Sequence, residues 1–161
     1  MLKFDAKGYL IPNTAVPSTM EDVERTFVIE YSSVERSRLF EAYKNYMVDL
    51  KTMCGGVAIK HWINGSFVTR CKPRPGDIDM VVFIDKDLLI KLGGVIKPFT
   101  YPYSKSNYPG VGAYVIRVSA DGGKDQLLYD FDKAYWHDQF DTTRRNRKGL
   151  KAKKGFVEVV Y

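Results

Sequence analysis

Cysteine is scarce in this chain of 161 residues: Cys54 and Cys71 are the only two, and histidine is as rare, at His61 and His137. Two thiols without a CxxC pair or a Cys/His cluster exclude a disulfide scaffold and the common zinc arrangements, and reduced thiols in a cytoplasm are the expectation. Long apolar runs are missing too. "MLKFDAKGYLIP" carries charge and a glycine before any run reaches signal-peptide length, and no stretch approaches a membrane span, so a cytoplasmic protein with no membrane partner is expected. No internal repeat or low-complexity segment occurs. Acids are absent from residues 142 to 157, where Arg144, Arg145, Arg147, Lys148, Lys151, Lys153 and Lys154 supply seven positive charges. That stretch accounts for the net charge of +6 and reads either as a solvated basic loop or as one that faces an anion.

What is present fits a globular protein: 45% hydrophobic residues, 14% aromatic and 27% charged, enough for one core. A single domain over 1–161 is expected, with an N-terminal arm or hairpin at 1–17 and the basic loop at 142–154. "STMEDVERTF" opens on Ser18 with Glu21 three residues on, the spacing of a capping box, and Ser32 with Glu35 repeats it. After Ser32, the positions Val34, Leu39, Phe40, Tyr43, Tyr46, Met47 and Leu50 follow a helical period to about Lys51. "VAIKHWI", "DIDMVVFID", "GAYVIRVS" and "GFVEVVY" read as strands, "KDLLIKLGG" and "QLLYDFDKAYWHDQF" as helices, and residues 98–110 as a Pro- and Tyr-rich loop. The fold class is α/β (α+β).

One feature goes against burial. Asp77 and Asp79 open the most apolar strand, and alternation puts both on one face roughly 7 Å apart. Two such carboxylates repel and resist desolvation unless a cation takes up their charge, and hard divalent ions favour oxygen donors of this kind. Upstream, Gly65-Ser66 ends the preceding strand at a tight turn or helix start, where a bare backbone and a hydroxyl can meet phosphate oxygens.

Gly65-Ser66, ten intervening residues and Asp77-Ile78-Asp79 leading a hydrophobic strand resemble the motif of the polymerase-β-type nucleotidyltransferase superfamily. With "FDAKGYLIP" at the start and "RKGLKAKKGFVEV" at the end, the chain also resembles an uncharacterised bacterial and phage family of small nucleotidyltransferase-like proteins. The resemblance implies a palm-type mixed sheet flanked by helices, with Mg²⁺ or Mn²⁺ held by Asp77 and Asp79 as catalytic metal ligands. It also implies a nucleoside triphosphate held by Gly65 and Ser66, and transfer of a nucleoside monophosphate to a protein or RNA hydroxyl. A toxin–antitoxin or phage-defence setting follows by analogy.

Relatives of that type carry a third carboxylate on a neighbouring strand. "GAYVIRVS" has no acid, and Gly112 or Ala113 stands where it would fall; Asp121, Asp125, Asp130 and Asp132, in the turn and helix that follow, are the candidates to reach in, and nothing in the sequence selects one. The alternative reading is therefore a degenerate member of the fold that binds a nucleotide, nucleic acid or protein without chemistry. Arg70 and Lys72, with Arg74, flank the motif as nucleotide-binding cations, and Arg144, Arg145, Arg147 and Lys148 form a second anion-binding patch. Tyr101, Tyr103 and Tyr108 either stack on bases or pack within their own loop. The sequence leaves the oligomeric state open.

Overall fold

The structure, a computed structural model, describes residues 2–161; Met1, the first residue of the expected arm, lies outside them. The arm is a small antiparallel hairpin, β1 (Lys3–Phe4) with β2 (Leu10–Ile11). Its turn is closed by Asp5, whose carboxylate accepts from the amides of Lys7 and Tyr9 at 2.9 and 2.8 Å. Gly8, at φ 82°, sits where a Cβ would lie 2.9 Å from the Cys71 amide nitrogen, so the hairpin tip packs directly on backbone.

β3 (Ala15–Ser18) and α1 (Met20–Phe27) follow, then a 3₁₀ turn at Ile29–Tyr31 and the long α2 (Val34–Met53). Next come β4 (Lys60–Asn64), β5 (Ile78–Asp85) and α3 (Lys86–Leu92), which Asp85 caps through the amides of Asp87 and Leu88. A 3₁₀ segment at Gly93–Phe99, α4 (Tyr103–Asn107), β6 (Val111–Val118), α5 (Lys124–Phe140) and β7 (Phe156–Val160) complete the chain.

Five strands form one mixed sheet in the order β3-β7-β4-β5-β6. β5 pairs antiparallel with β4 and parallel with β6, so this interior strand is covered at both edges and on both faces. That position explains its near-continuous apolar run. Alternation sorts the side chains. Ile78, Met80, Val82 and Ile84 join the larger core beneath α1 and α2, while Val81 and Phe83 join Trp62, Ile116, Phe140 and Phe156 under α5. The expected fold class holds: an α+β domain with a mixed sheet flanked by helices.

Several local expectations are corrected. Thr19 and Ser33, not Ser18 and Ser32, cap the first two helices, accepting from the amides of Asp22 and Arg36. Ser18 belongs to the edge strand β3, and Ser32 takes a left-handed conformation at the preceding turn. Val34 is exposed rather than buried, since it is the first residue of α2 and precedes its inward face. Pro17, the last residue of the expected arm, lies instead in β3, at the sheet edge where a missing N–H is tolerated. Residues 98–110 are not all loop, because Tyr103–Asn107 makes a turn of helix.

Candidate functional site

Asp77 stands just before β5, and Asp79 is in it, paired in register with Asn64 of β4 and Gly112 of β6. Both carboxylates share the α5 side of the sheet with Val81 and Phe83. Asp79 lies between two glycines. A Cβ on Gly65, at φ 85°, would come within 3.0 Å of its Oδ2, and one on Gly112 within 3.5 Å of its Oδ1. Among the described residues no group donates a hydrogen bond to the Asp79 carboxylate and none forms an ion pair with it. Its pKa is pushed up, first by burial and then by the Asp77 charge, against the pull of Arg144, Lys105 and Lys154.

Gly112, where the resemblance leads one to expect a third acid, is covered by a lysine. Lys105 of α4 lays its stem over Gly112, where a Cβ would meet its Cε at 3.1 Å, and its ammonium binds Asp77 at 2.9 Å. The hydrogen bond to Asp77 raises the Lys105 pKa. Asp121 and Asp125 do not reach the site. They pair with Lys86, and Asp125 also with Arg117, beyond the far end of β6, while Asp130 and Asp132 are exposed on α5.

The turn carrying Gly65 and Ser66 is not the start of a helix. It continues as an irregular loop to Asp77, and one side chain holds that loop in place. Arg36 of α2 is fully buried and donates all five guanidinium N–H groups to backbone carbonyls: Nε to Pro73, Nη1 to Phe27 and Phe67, Nη2 to Thr69 and Lys72, at 2.7–3.1 Å. Thr69 adds a bond from its hydroxyl to the Ser66 carbonyl at 2.9 Å. Sequence reading missed Arg36. The available signal was its place three, four and seven residues before Leu39, Phe40 and Tyr43, on the inward face of α2.

In front of the aspartates opens a cavity of about 640 Å³ lined by three kinds of group. Asp77 and Asp79 form an acidic floor beside Gly65, Ser66 and Thr69. Lys72, Arg144, Arg145, Lys151 and Lys154 form a basic side. Lys154 is 5% exposed and donates from Nζ to Asn64 Oδ1, and burial brings its pKa down to about 8 although Asp79 pulls the other way. Tyr114, Tyr135 and Trp136 form an aromatic wall, with the Tyr114 and Trp136 ring centres 4.3 Å apart and Tyr101 stacked behind Tyr114 at 5.1 Å.

The basic stretch is thus not simply a solvated loop. Thr142 bridges to Lys153, and Asn146 closes a turn by accepting from the amides of Lys148 and Leu150, so a hairpin-like arm presents its base to the cavity. Of the anticipated anion-binding residues, Arg144 and Arg145 line the cavity, while Arg147 and Lys148 lie at the arm's turn and do not. Arg70 is corrected likewise. It binds Glu30 at 2.6 Å, covers the Phe4 ring and stays outside the cavity, whereas Lys72 lines it. Tyr108 packs on Tyr46 and Phe99 and donates to Asp49, so it serves its own loop rather than a base. Neither Tyr101 nor Tyr103 lines the cavity.

The described residues contain no cluster of three or more His, Cys, Asp or Glu side chains placed to hold a metal. Asp77 and Asp79 match the carboxylate pair that Mg²⁺ uses when substrate phosphates complete its shell, and both line the cavity. Among the described residues no helix is long and apolar enough to cross a membrane. No curated protein and no solved structure matches the chain. One family model does, that of a family of unknown function, DUF6932; it matches residues 2–160, and the chain belongs to that family.

Proposed function

We propose that the cavity binds a nucleoside triphosphate with Mg²⁺ or Mn²⁺ and transfers its nucleoside monophosphate to a hydroxyl of a protein or RNA. The domain would then be a palm-type member of the nucleotidyltransferase superfamily that its Gly65-Ser66 and Asp77/Asp79 pattern resembles. One observation carries this reading: a largely buried carboxylate with no hydrogen bond, Asp79, faces a single cavity that also holds a basic side and an aromatic wall. Metal, phosphates and base each find a surface suited to them.

In that complex the Gly65 backbone and the Ser66 hydroxyl face the triphosphate, while Arg144 and Lys154 offset its charge. Trp136 and Tyr114 offer a face on which a base stacks. Asp77, freed from Lys105, and Asp79 would hold the metal, which would neutralise charge on the phosphoryl oxygens. The acceptor oxygen forms a bond to the α-phosphorus as the bond to the β-phosphate oxygen breaks; pyrophosphate leaves and the hydroxyl proton passes to water. Incubation with labelled nucleoside triphosphates, Mg²⁺ and cell extract tests it: label should reach protein or RNA with the native chain and not with Asp77→Ala/Asp79→Ala. Transfer indifferent to those changes would overturn the mechanism.

A second reading is favoured by Gly112 and Lys105, which stand where a third carboxylate is expected. The same cavity then binds a nucleotide, nucleic acid or protein through its cations without chemistry. It predicts no label transfer, and binding that survives loss of the acidic pair but weakens when Arg144, Arg145 and Lys151 are neutralised.

A further inference from the structure

α5 uses only one of its two faces inside the fold. Tyr129, Trp136 and Phe140 pack toward Trp62, Phe83 and Phe156. The opposite face carries Leu127, Leu128, Phe131 and Tyr135 with 56, 43, 66 and 57% of their surface exposed. At 100° per residue these four span an arc of roughly 100° centred near Phe131, a continuous apolar strip rather than scattered positions. Such strips on a globular surface mark contacts with another molecule.

The strip's ends identify that molecule. Lys124 is seven residues before Phe131 and Asp138 seven after it, both exposed, and among the described residues neither has an ion pair. Seven residues is nearly two helical turns, so both charges lie on the same strip, each about 10 Å from Phe131. A strip ordered cation, apolar centre, anion complements a reversed copy of itself. About a two-fold axis through Phe131, Lys124 meets Asp138 of the second copy, Leu127 meets Tyr135, and Leu128 meets Ala134. A parallel pairing would set Lys124 against Lys124 and Asp138 against Asp138.

We propose that two copies of this chain associate through α5, antiparallel and centred on Phe131, with Lys124–Asp138 ion pairs at both ends. The interface is isologous and of modest area, which places it at the weak, concentration-dependent end of homodimers. Tyr135 also lines the cavity, so the pairing lays the second helix along the outer edge of the aromatic wall.

Sedimentation velocity over a range of concentrations is the test, with circular dichroism confirming that each variant folds. The native chain should shift reversibly from monomer to dimer. Phe131→Glu should raise the dissociation constant by about tenfold or more. Lys124→Glu and Asp138→Lys should each raise it about threefold or more, and the double variant, with the charges exchanged, should recover native affinity. A chain monomeric at every concentration overturns the proposal and leaves the strip to a different protein. A dimer indifferent to Phe131→Glu, or single charge changes that the exchange does not repair, overturns it as well. None of these outcomes depends on triphosphate binding.

Discussion

On the α2 side of the sheet, the large buried polar groups are matched to partners, and the Ser18 hydroxyl of edge strand β3 is the one buried oxygen there without any among the described residues. Arg36 gives its five N–H groups to five carbonyls, the Tyr43 hydroxyl meets His61 Nε2 at 2.6 Å, and Tyr46 donates to the Phe99 carbonyl at 3.0 Å. On the α5 side, near the cavity, bonding capacity is left over: Asp79 accepts no bond among the described residues, Lys154 reaches only Asn64, and Asp141 Oδ1 is buried without a partner. Because a buried polar group without a partner costs stability, a fold keeps such groups where a ligand meets them. The α2 face therefore works as scaffold, and the α5 face holds the cavity to which the proposed chemistry is assigned.

The largest test of that contrast is Arg36→Met. It leaves five carbonyls without their donor and frees the loop bearing Gly65 and Ser66, so urea denaturation should show a loss of roughly 3–5 kcal/mol. A loss under 1 kcal/mol would mean the loop holds itself.

Next is His61, on the same side. Burial lowers its pKa to about 4, below the unfolded value of 6.5, so the folded chain binds fewer protons between those values. Its contribution is full above pH 6.5 and is lost as pH falls toward 4, a decline of roughly 3 kcal/mol. His61→Gln should flatten that slope in pH-dependent melts.

Asp79 should behave in the opposite sense. Its folded pKa is raised, so its penalty is absent below the unfolded carboxylate value and grows as pH climbs through the folded one. Asp79→Asn should stabilise the neutral-pH protein by on the order of 1 kcal/mol. It should also weaken metal–triphosphate binding at least as much as the roughly 10–100-fold that loss of a supporting partner costs a metal site. The smallest effect belongs to Arg70→Ala. Its ion pair with Glu30 is exposed, so stability should move by less than about 0.5 kcal/mol and affinity should not change. Lys72→Ala, one turn of loop away and facing the cavity, should weaken binding.

These contrasts follow what the sequence carries locally. The inward side of α2 is legible because its apolar residues keep a helical period, and β5 because its run is unbroken. The capping errors arose where two hydroxyl residues adjoin, since spacing alone does not say which one is extended. β3 stayed hidden because its partner is β7, with Ala15 beside Phe156 across almost the whole chain, and because Pro17 reads as a breaker. α5 was legible as a helix but not in its orientation: Leu127, Phe131 and Tyr135 look as buriable as Trp136 and Phe140. The acidic floor and the Gly65-Ser66 turn could be read from spacing. The aromatic wall could not, because Tyr114 and Trp136 meet only after β6 and α5 pack together.

The most direct measurement is calorimetric titration of each nucleoside triphosphate, with Mg²⁺ or Mn²⁺, into the native chain and into Asp77→Asn/Asp79→Asn. The account predicts saturable, metal-dependent binding of at least one triphosphate, abolished in the double variant, which melts no lower than the native chain. Absence of binding for every triphosphate with either metal, or equal affinity in both proteins, would contradict it.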